Sequence, residues 1–591
     1  MTDFRAPLND YSFLMRDVFD LPALWSSMEA FKEVDAPLAD AVLEEASKMV
    51  GGTIAPLRRI GDQNPAKHSG SDVTLPAEYV SAYQQFIEAG WMGLTSDPAY
   101  GGQGMPRTLS IMFEEMIWSA DPAFMLIPTL NIGAIKMFTQ HGSDTLKDIY
   151  LEKMISGEWV GTMCLTESHA GSDLGIMTTK AVENGDGSYA VSGTKIFITG
   201  GEHNLTDNIV HFVLAKLPGA AEGTKGISLF LVPKFLPDGD GKVGERNKLN
   251  CGSIEHKMGI NASSTCVMNF DGAKGWMIGE PGKGLKCMFA MMNDERLAMG
   301  LQGLGAMAAG LRSAADYAND RVQGRAPTGA KNPEGRADPI IVHPEVRRML
   351  MDLKMNSEAS RALAIYASIW LDKAKFGDDA DTRKHAQGLA DLLTPLCKAY
   401  MSDIGFEGTV TAQQVFGGHG YVQEWGMEQW VRDTRIAQIY EGANGIISMD
   451  LLGRKTVGSG GALVKDLAAD IQSSIDEAAD SELAAMVQTA VDIVLETTDW
   501  AVENAASDPD LISAAAVRYQ RMLGDLCFGF MWLKMATAAS KGTEQGEMFD
   551  KTKQICAHTY MNRTVAGLCE HARVIRLSAK GLMDVDAEMF G

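Results

Sequence analysis

The chain has 591 residues, of which 46% are hydrophobic and 22% are charged, and its formal net charge is -23 at pH 7. This length exceeds what one hydrophobic core supports, so the composition predicts a folded protein of two to four domains and excludes a disordered chain. The strong negative charge argues against a nucleic-acid partner or an anionic lipid surface, because both attract basic proteins.

The cysteines and the amino terminus predict a cytoplasmic protein. Eight cysteines are spread along the chain without a C-x-x-C pair, which argues against a bound metal and against a disulfide framework. The first 24 residues mix aspartates with apolar residues and lack the basic and apolar regions of an export signal. No stretch approaches the roughly 20 apolar residues that span a bilayer, so no membrane contact is expected.

Residues 1–158 are predicted to form a helical domain with an amino-terminal extension. Apolar residues recur at helical spacing over residues 39–49 and 78–89. Breaks are expected at residues 96–98, SDP, and at residues 101–104, GGQG, because proline and glycine favour turns.

Residues 159–285 are predicted to form a small antiparallel β domain. Short β-branched and aromatic runs separated by Gly, Asp and Asn are typical of strands joined by turns. These runs cover residues 189–191, 195–199, 209–214 and 227–232. The domain starts with residues 165–173, LTESHAGSD, whose small side chains let backbone N–H groups approach an anionic or heteroaromatic ligand.

Helices return over residues 286–455, the third predicted domain. Its residues 325–339 are rich in Pro, Gly, Lys and Arg and predict an exposed loop. The run GSGG at residues 458–461 has no side chain that could anchor it in a core, which makes it the best candidate for a linker. A further helical domain is predicted over residues 462–591.

The most informative segment is IYEGANGI at residues 439–446, because it places the carboxylate of Glu441 beside a glycine-rich turn. A carboxylate in that position can act as a base. The segment closes a longer block that begins with QQVFGGHGY at residues 413–421, and NDR at residues 319–321 precedes this block.

These motifs, together with LTESHAGSD, resemble the flavin-dependent acyl-CoA dehydrogenases, and they occur in the order of that family. The resemblance covers about residues 80–455. It implies an α+β fold with a helical domain, a small antiparallel β domain and a helical bundle domain. The helical tail of this chain would be an extra domain.

The resemblance implies FAD as cofactor, with a first set of contacts in the β domain. Thr166 would contact the isoalloxazine ring and Ser172 the diphosphate region. Phe197 stands where an aromatic residue, commonly Trp, covers the ring, and Thr199 stands where a hydroxyl faces the N5 edge. The chain has Ser-His at residues 168–169 where the family usually has Pro-Gly.

A second set of FAD contacts is implied in the helical domain. Arg321 resembles the arginine that meets the pyrophosphate, which suits a guanidinium fork. Gln414 and Gly418 resemble the residues that hold the adenosine diphosphate of the neighbouring subunit's FAD. A homodimer or homotetramer is therefore expected. Ala443 and Gly445 replace the Thr and Gln of many members, which removes two side-chain contacts to FAD.

Glu441 matches the family's base in its commonest position and is the preferred candidate. Glu295 occupies the position used as base by isovaleryl-type members and is the alternative. Arg296 is expected to order the site near the thioester, and Tyr440 and Gly442 to contact the substrate. By the resemblance, the backbone N–H of Glu441 would polarise the thioester oxygen.

The expected activity is α,β-dehydrogenation of a short or medium acyl-CoA, with electrons passing to an electron-transfer flavoprotein. The amino-terminal extension and the helical tail resemble a subgroup of long bacterial acyl-CoA dehydrogenases. That subgroup includes enzymes of dimethylsulfoniopropionate breakdown, which makes 3-methylmercaptopropionyl-CoA the leading substrate. Three alternatives stay open: a general short- or medium-chain fatty acyl-CoA dehydrogenase, an acyl-CoA oxidase, and a non-catalytic stress flavoprotein of the same fold.

Overall fold

The computed structural model describes residues 4–238, 241–577 and 579–591. The described residues form two compact units. The first comprises the described parts of Met1–Ser47, Pro106–Ser119 and Met299–Gly591, and the second those of Lys48–Met105 and Ala120–Ala298. These units do not follow the four predicted domain boundaries, which remain a prediction.

The strands lie in the second unit and form one large sheet and two small ones. In chain order they are β1 (Lys67–Ser69), β2 (Asp72–Thr74), β3 (Trp159–Cys164), β4 (Lys180–Glu183), β5 (Tyr189–Thr199), β6 (Asn208–Lys216), β7 (Ile227–Pro233), β8 (Phe235–Pro237), β9 (Val243–Arg246), β10 (Leu249–Ile254) and β11 (Thr265–Ile278). The large sheet has the order β10-β11-β5-β4-β6-β3, and β7 pairs with both β11 and β6.

The predicted strands are confirmed, and the sheet differs from the antiparallel prediction in two pairings. The four predicted runs lie within β5, β6 and β7. Most pairs are antiparallel, but β3 runs parallel to β6, from Trp159 opposite Asn208 to Cys164 opposite Val213. Strand β4 also meets β6 in parallel, at a single residue pair. A parallel pair needs a long connection between its strands, and β4 and β5 supply it between β3 and β6.

A short hairpin interrupts the region predicted to be helical. Strands β1 and β2 pair antiparallel, with Ser69 opposite Asp72. The two residues between them include Gly70, whose φ is 66°, and two-residue hairpin turns need such positive φ values. Strands of three residues are too short to show a clear period, which is why the sequence pattern misses them.

The helices before the sheet are α1 (Leu8–Phe13), α2 (Leu21–Ser26), α3 (Ala36–Met49), α4 (Leu57–Gln63), α5 (Ala77–Glu88), α6 (Arg107–Trp118), α7 (Pro122–His141) and α8 (Asp144–Ser156). Those after it are α9 (Gly284–Asp320), α10 (Pro344–Phe376), α11 (Ala380–Val415), α12 (Gly418–Tyr421), α13 (Met427–Arg435), α14 (Asn444–Met449), α15 (Ala462–Asp476), α16 (Ser481–Asn504), α17 (Leu511–Ala539), α18 (Glu547–Arg563), α19 (Leu568–Ile575) and α20 (Lys580–Met583). Helices α3 and α5 confirm the two segments predicted in the first domain.

Helices α7 and α8 pack on the sheet to form the core of the second unit. The rings of Phe138 and Phe212 lie 5.7 Å apart, and those of Tyr150 and Trp159 lie 5.6 Å apart. Helix α7 is long and apolar enough to cross a membrane by length and composition, although no such segment is expected from the sequence. Its most apolar window is 83% buried, as in the core helix of a folded domain.

The core of the first unit joins α10 and α11 to α17 of the tail. Tyr400 of α11 lies 4.8 Å from Phe528 by ring centroids, and Tyr366 of α10 lies 5.4 Å from Phe530. Burying each such aromatic ring contributes on the order of 2 to 3 kcal/mol. The tail therefore shares a core with the helical domain.

The GSGG run at residues 458–461 is an ordered turn, which corrects its prediction as a linker. Gly460 and Gly461 have φ values of 61° and 80°, and the Gly461 N–H donates to Thr456 O at 2.9 Å. Ser459 Oγ donates to Lys455 O at 2.7 Å. Glycines with positive φ commonly end a helix and cap its last carbonyls, so the run joins two helices tightly.

The loop at residues 325–339 is mostly exposed, as predicted, but it is organised around a buried carboxylate. Asp338 is 0% exposed. It accepts hydrogen bonds from Ala326 N at 2.9 Å and from Asn332 N at 2.7 Å. These bonds hold the pKa of Asp338 at about 2, so the carboxylate stays ionised and the loop stays closed around it.

Candidate active site

The loop at residues 165–173 is fixed by a buried ion pair. Glu167 is 3% exposed, and its carboxylate accepts hydrogen bonds from Lys195 Nζ at 2.9 Å and from Thr179 Oγ1 at 2.6 Å. Burial acts to raise the pKa of Glu167, but the bond from Thr179 and the charge of Lys195 outweigh it and lower the pKa to about 2. Glu167 is therefore an ionised anchor for the loop.

Thr166 lies beside the strand that carries the predicted flavin contacts. The Ile196 N–H donates to Thr166 O at 2.9 Å, and Thr199 of the same strand pairs with Thr265 of β11. Phe197 has a φ of 60° and is 59% exposed. Positive φ at a non-glycine residue is disfavoured and clusters at ligand sites. An exposed aromatic ring in this setting fits a planar ligand that covers it.

Ser172 is exposed in the same loop, and the Ser-His pair forms its turn. The backbone groups of Glu167 and Ala170 donate to each other at 3.0 Å in both directions, so Ser168 and His169 form the tip. His169 Nε2 lies 3.5 Å from Glu167 Oε2. The departure from the family's usual Pro-Gly therefore keeps a tight turn.

Arg321 is exposed directly after the end of α9. Its N–H donates to Tyr317 O at 2.8 Å. The Tyr317 ring stacks on Phe416 at 4.1 Å between centroids, and its Oη lies 2.9 Å from His419 Nδ1. The end of α9 is thus attached to the glycine turn that contains Gly418.

Gln414 is exposed near the end of α11, and its carbonyl accepts from Gly417 N at 2.9 Å. A Cβ at Gly417 or Gly418 would meet no atom within 4 Å, which leaves the backbone open to a ligand. The structure therefore places Arg321, Gln414 and Gly418 around one aromatic cluster of the first unit.

Glu441 lies in the turn before α14, in a conformation that L residues rarely adopt. Glu441 has a φ of 56° and Gly442 a φ of 95°. Tyr440 Oη donates to Gln302 Oε1 at 2.5 Å, and Lys398 Nζ donates to Gly442 O at 2.6 Å. A strained non-glycine residue persists only when its surroundings hold it, and such residues cluster at active sites.

Glu295 and Arg296 lie on α9 in the second unit. Glu295 is 1% exposed, and a Cβ at Gly133 of α7 would lie 2.8 Å from its Oε1. Arg296 Nη1 donates to Asn293 Oδ1 at 3.3 Å. Glu295 is therefore a buried carboxyl with a glycine facing it, and not a solvated helix charge.

No role is predicted from the sequence for Lys398, Gln302 or the pair of Glu167 and Lys195. Lys398 had a detectable signal, because it is the one charged residue in LLTPLCKAYM at residues 392–401 and a lysine within an apolar helix needs buried partners. Lys195 had none, since its partner is distant in sequence.

Four family models match the chain in order. They are the N-terminal domain of acyl-CoA dehydrogenase at residues 41–158, its middle domain at residues 162–273, its C-terminal domain at residues 282–456, and an acetyl-CoA dehydrogenase C-terminal-like domain at residues 467–586. The chain therefore belongs to the acyl-CoA dehydrogenase family.

Two relatives extend over nearly the whole chain. A 3-methylmercaptopropionyl-CoA dehydrogenase from Ruegeria pomeroyi is 40% identical over 92% of each chain. A butyryl-CoA dehydrogenase from Syntrophomonas wolfei is 34% identical over 98% of this chain and 99% of that protein. The chain is thus an oxidoreductase, an acyl-CoA dehydrogenase by family.

The fold also resembles a solved structure, that of an acyl-CoA dehydrogenase complexed with FAD from Bacillus anthracis. The TM-score is 0.75 at 21% identity, over 94% of this chain and 89% of that one. The predicted α+β fold class, with its extra carboxy-terminal helical domain, is confirmed. FAD is the cofactor of the family to which the chain belongs.

The residues of each unit fit FAD. The exposed Phe197 ring offers a face to a flat heterocycle, and the exposed Arg321 guanidinium offers a fork to phosphate oxygens. The open glycine backbone at Gly417 and Gly418 admits a nucleotide closely.

Proposed function

We propose that the chain oxidises a short or medium acyl-CoA to the 2-enoyl-CoA, with 3-methylmercaptopropionyl-CoA as the leading substrate. The observation that carries the reaction is Glu441 at φ 56°, followed by Gly442 at φ 95°. The substrate rests on the 40% identity with the Ruegeria protein over 92% of both chains.

The reaction removes a proton from C2 and a hydride from C3 of the acyl group, and a double bond forms between these carbons. Glu441 accepts the C2 proton, and its backbone N–H polarises the thioester oxygen, which makes that proton more acidic. Tyr440 and Gly442 flank the base and contact the acyl thioester, and Arg296 orders the site near it. FAD, held by the residues named below, would supply the acceptor for the hydride.

Thr166, Ser172, Phe197 and Thr199 are proposed to hold FAD in the second unit. Arg321 is proposed to meet the pyrophosphate. Gln414 and Gly418 are proposed to bind the adenosine diphosphate of a neighbouring subunit's FAD, so the working protein would be a homodimer or homotetramer. Both are on the surface of this chain, where another subunit can reach them.

Glu295 is the alternative base. Its side chain is 1% exposed, on the regular helix α9. Glu441 is half-buried and occupies a backbone conformation that a structural carboxylate would not require. These two differences favour Glu441.

A general short-chain fatty acyl-CoA dehydrogenase is the second candidate, supported by the Syntrophomonas relative, which the chain matches over 98% of its length. Anaerobic flavin reduction by 3-methylmercaptopropionyl-CoA, butyryl-CoA and octanoyl-CoA distinguishes the two. We expect the methylmercapto substrate to give the highest ratio of the flavin reduction rate constant to the substrate Kd. A higher value with butyryl-CoA would assign the fatty substrate instead.

The proposed electron acceptor is an electron-transfer flavoprotein, in a soluble cytoplasmic setting. An acyl-CoA oxidase would instead pass electrons to oxygen. Peroxide measured in air, with substrate and no other acceptor, separates them, because a dehydrogenase should form little. A yellow protein that no acyl-CoA bleaches would favour a non-catalytic flavoprotein.

A further inference from the structure

The turn that carries Glu441 has two consecutive residues in the left-handed region. Glu441 has a φ of 56° and Gly442 a φ of 95°. Glycine is required at the second position, because a Cβ there would also lie 2.7 Å from Ile447 Cδ1. At the first position the Cβ of glutamate disfavours a positive φ, so other groups must hold its backbone in this conformation.

Lys398 of α11 is one of those groups. It is 0% exposed, and its Nζ donates to Gly442 O and to Asn444 Oδ1, both at 2.6 Å. Hydrogen bonds from a buried ammonium are stronger than neutral ones. Lys398 thus binds the carboxy-terminal end of the turn at two residues, one on each side of Ala443.

Asn444 and Asp403 complete the attachment. Asn444 Nδ2 donates to Ser402 Oγ at 2.9 Å and to Asp403 Oδ1 at 2.7 Å. Gln438 Nε2, on the entry side of the turn, donates to the same Asp403 oxygen at 2.7 Å. Both ends of the turn are therefore tied to helix α11.

We propose that Lys398 is a positioning residue for Glu441, and this inference rests on the proposed function of Glu441. Lys398 holds Gly442 O, so it sets the backbone of the preceding residue. That backbone aims both the carboxylate that takes the C2 proton and the N–H that polarises the thioester. Small displacements of a base reduce the rate more than they reduce binding.

Lys398→Met tests the proposal in the full-length holoenzyme, because it keeps the length of the side chain and removes the ammonium. We expect anaerobic flavin reduction by butyryl-CoA to slow by about 10- to 100-fold, the effect of losing a charge-assisted hydrogen bond. FAD content and the Kd for crotonyl-CoA should stay within about threefold of wild type. The isotope effect of C2-deuterated butyryl-CoA on the rate of flavin reduction should be at least as large as in the wild type.

Flavin reduction at the wild-type rate in Lys398→Met would overturn the proposal. A loss of FAD and crotonyl-CoA binding in parallel with the rate of flavin reduction would also overturn it, because that pattern indicates a lysine with a structural role alone. If Lys398→Met does not fold, Asn444→Ala tests the proposal by the same measurements. We then expect a smaller decrease in the rate of flavin reduction. Lys534→Met is the matched control. Nζ of this partly buried lysine of α17 lies 3.4 Å from Ser474 Oγ. The Lys534→Met variant should reduce its flavin at the wild-type rate.

Glu441→Gln, measured beside these variants, separates the two proposals. Normal flavin reduction in Glu441→Gln would remove the proposed base and with it the role of Lys398. An inactive Glu441→Gln together with a fully active Lys398→Met would leave the base in place and overturn the positioning role alone.

Discussion

At the residue scale, the choice between two carboxylates has a direct test. Glu441→Gln should keep FAD and bind acyl-CoA, because the amide preserves shape and the backbone N–H. Anaerobic flavin reduction should fall by about 10²- to 10⁴-fold, the usual contribution of a general base. Glu295→Gln is the matched variant and should be much milder. The reverse order would assign the base to Glu295.

Arg321 offers a second test at this scale. Arg321→Ala should weaken FAD retention by on the order of 1.5 to 3 kcal/mol, because a charge-assisted bond to phosphate is lost. The measurement is the FAD dissociation constant, by flavin fluorescence after dialysis. Arg454→Ala is the control, since that side chain is 77% exposed and pairs with Asp450 at 3.3 Å. Equal FAD affinity in both variants would place the pyrophosphate elsewhere.

At the scale of elements, the anchor of the β-domain loop should respond to acid. The folded pKa of Glu167 is about 2, below its ordinary value of 4.5. A lowered carboxyl pKa contributes stability above the unfolded value, and this contribution is lost as pH falls from about 4.5 toward 2. Acid should therefore release residues 165–173 from Thr178 and Thr179.

Amide hydrogen exchange at Thr178 and Thr179 measures this release, because both N–H groups donate to the Glu167 carboxylate, at 2.8 and 3.0 Å. Glu167→Gln, compared with wild type at each pH, should exchange faster at pH 7, and the difference should shrink below about pH 4.5. A difference that stays constant with pH would show that the charge of Glu167 does not hold the loop.

At the scale of the whole molecule, the tail is bound to the rest of the first unit through buried charges. Lys553 of α18 is 2% exposed, with Nζ 2.6 Å from Asp10 Oδ1 and 2.8 Å from Glu358 Oε2. The pKa of Asp10 is lowered to about 2: burial opposes ionisation, but the charges of Lys553 and Arg361 outweigh it. A buried carboxylate deprived of its partner destabilises strongly.

Truncation after Gly460 should therefore give insoluble or mis-assembled protein. It removes Lys553 and exposes the apolar faces of α10 and α11 that Phe528 and Phe530 cover. Solubility and size-exclusion profile are the measurements, and Lys553→Met in the full chain isolates the loss of charge, with an expected cost of about 3 to 5 kcal/mol. A soluble and fully active truncation would show that the tail has a separate task.

From the amino-acid sequence alone, the fold class, the family, helices α3 and α5 and strands β5 to β7 are predicted correctly. These depend on local patterns: helical spacing in α3 and α5, β-branched runs in β5 to β7, and motifs of a few adjacent residues. The turn around Glu441 is also readable from a local pattern, because the carboxylate and its glycine are neighbours in the chain. Its assignment as base remains a prediction.

The groups that hold these motifs in place are visible only in the folded chain. Lys398 of α11 contacts Gly442 in the turn before α14, and Lys195 of β5 contacts Glu167 in the loop after β3. Lys553 contacts Asp10 from the opposite end of the chain. Such partners are selected by burial, because a charge removed from water must find whichever opposite charge or carbonyl the packing brings near. No local pattern encodes that choice.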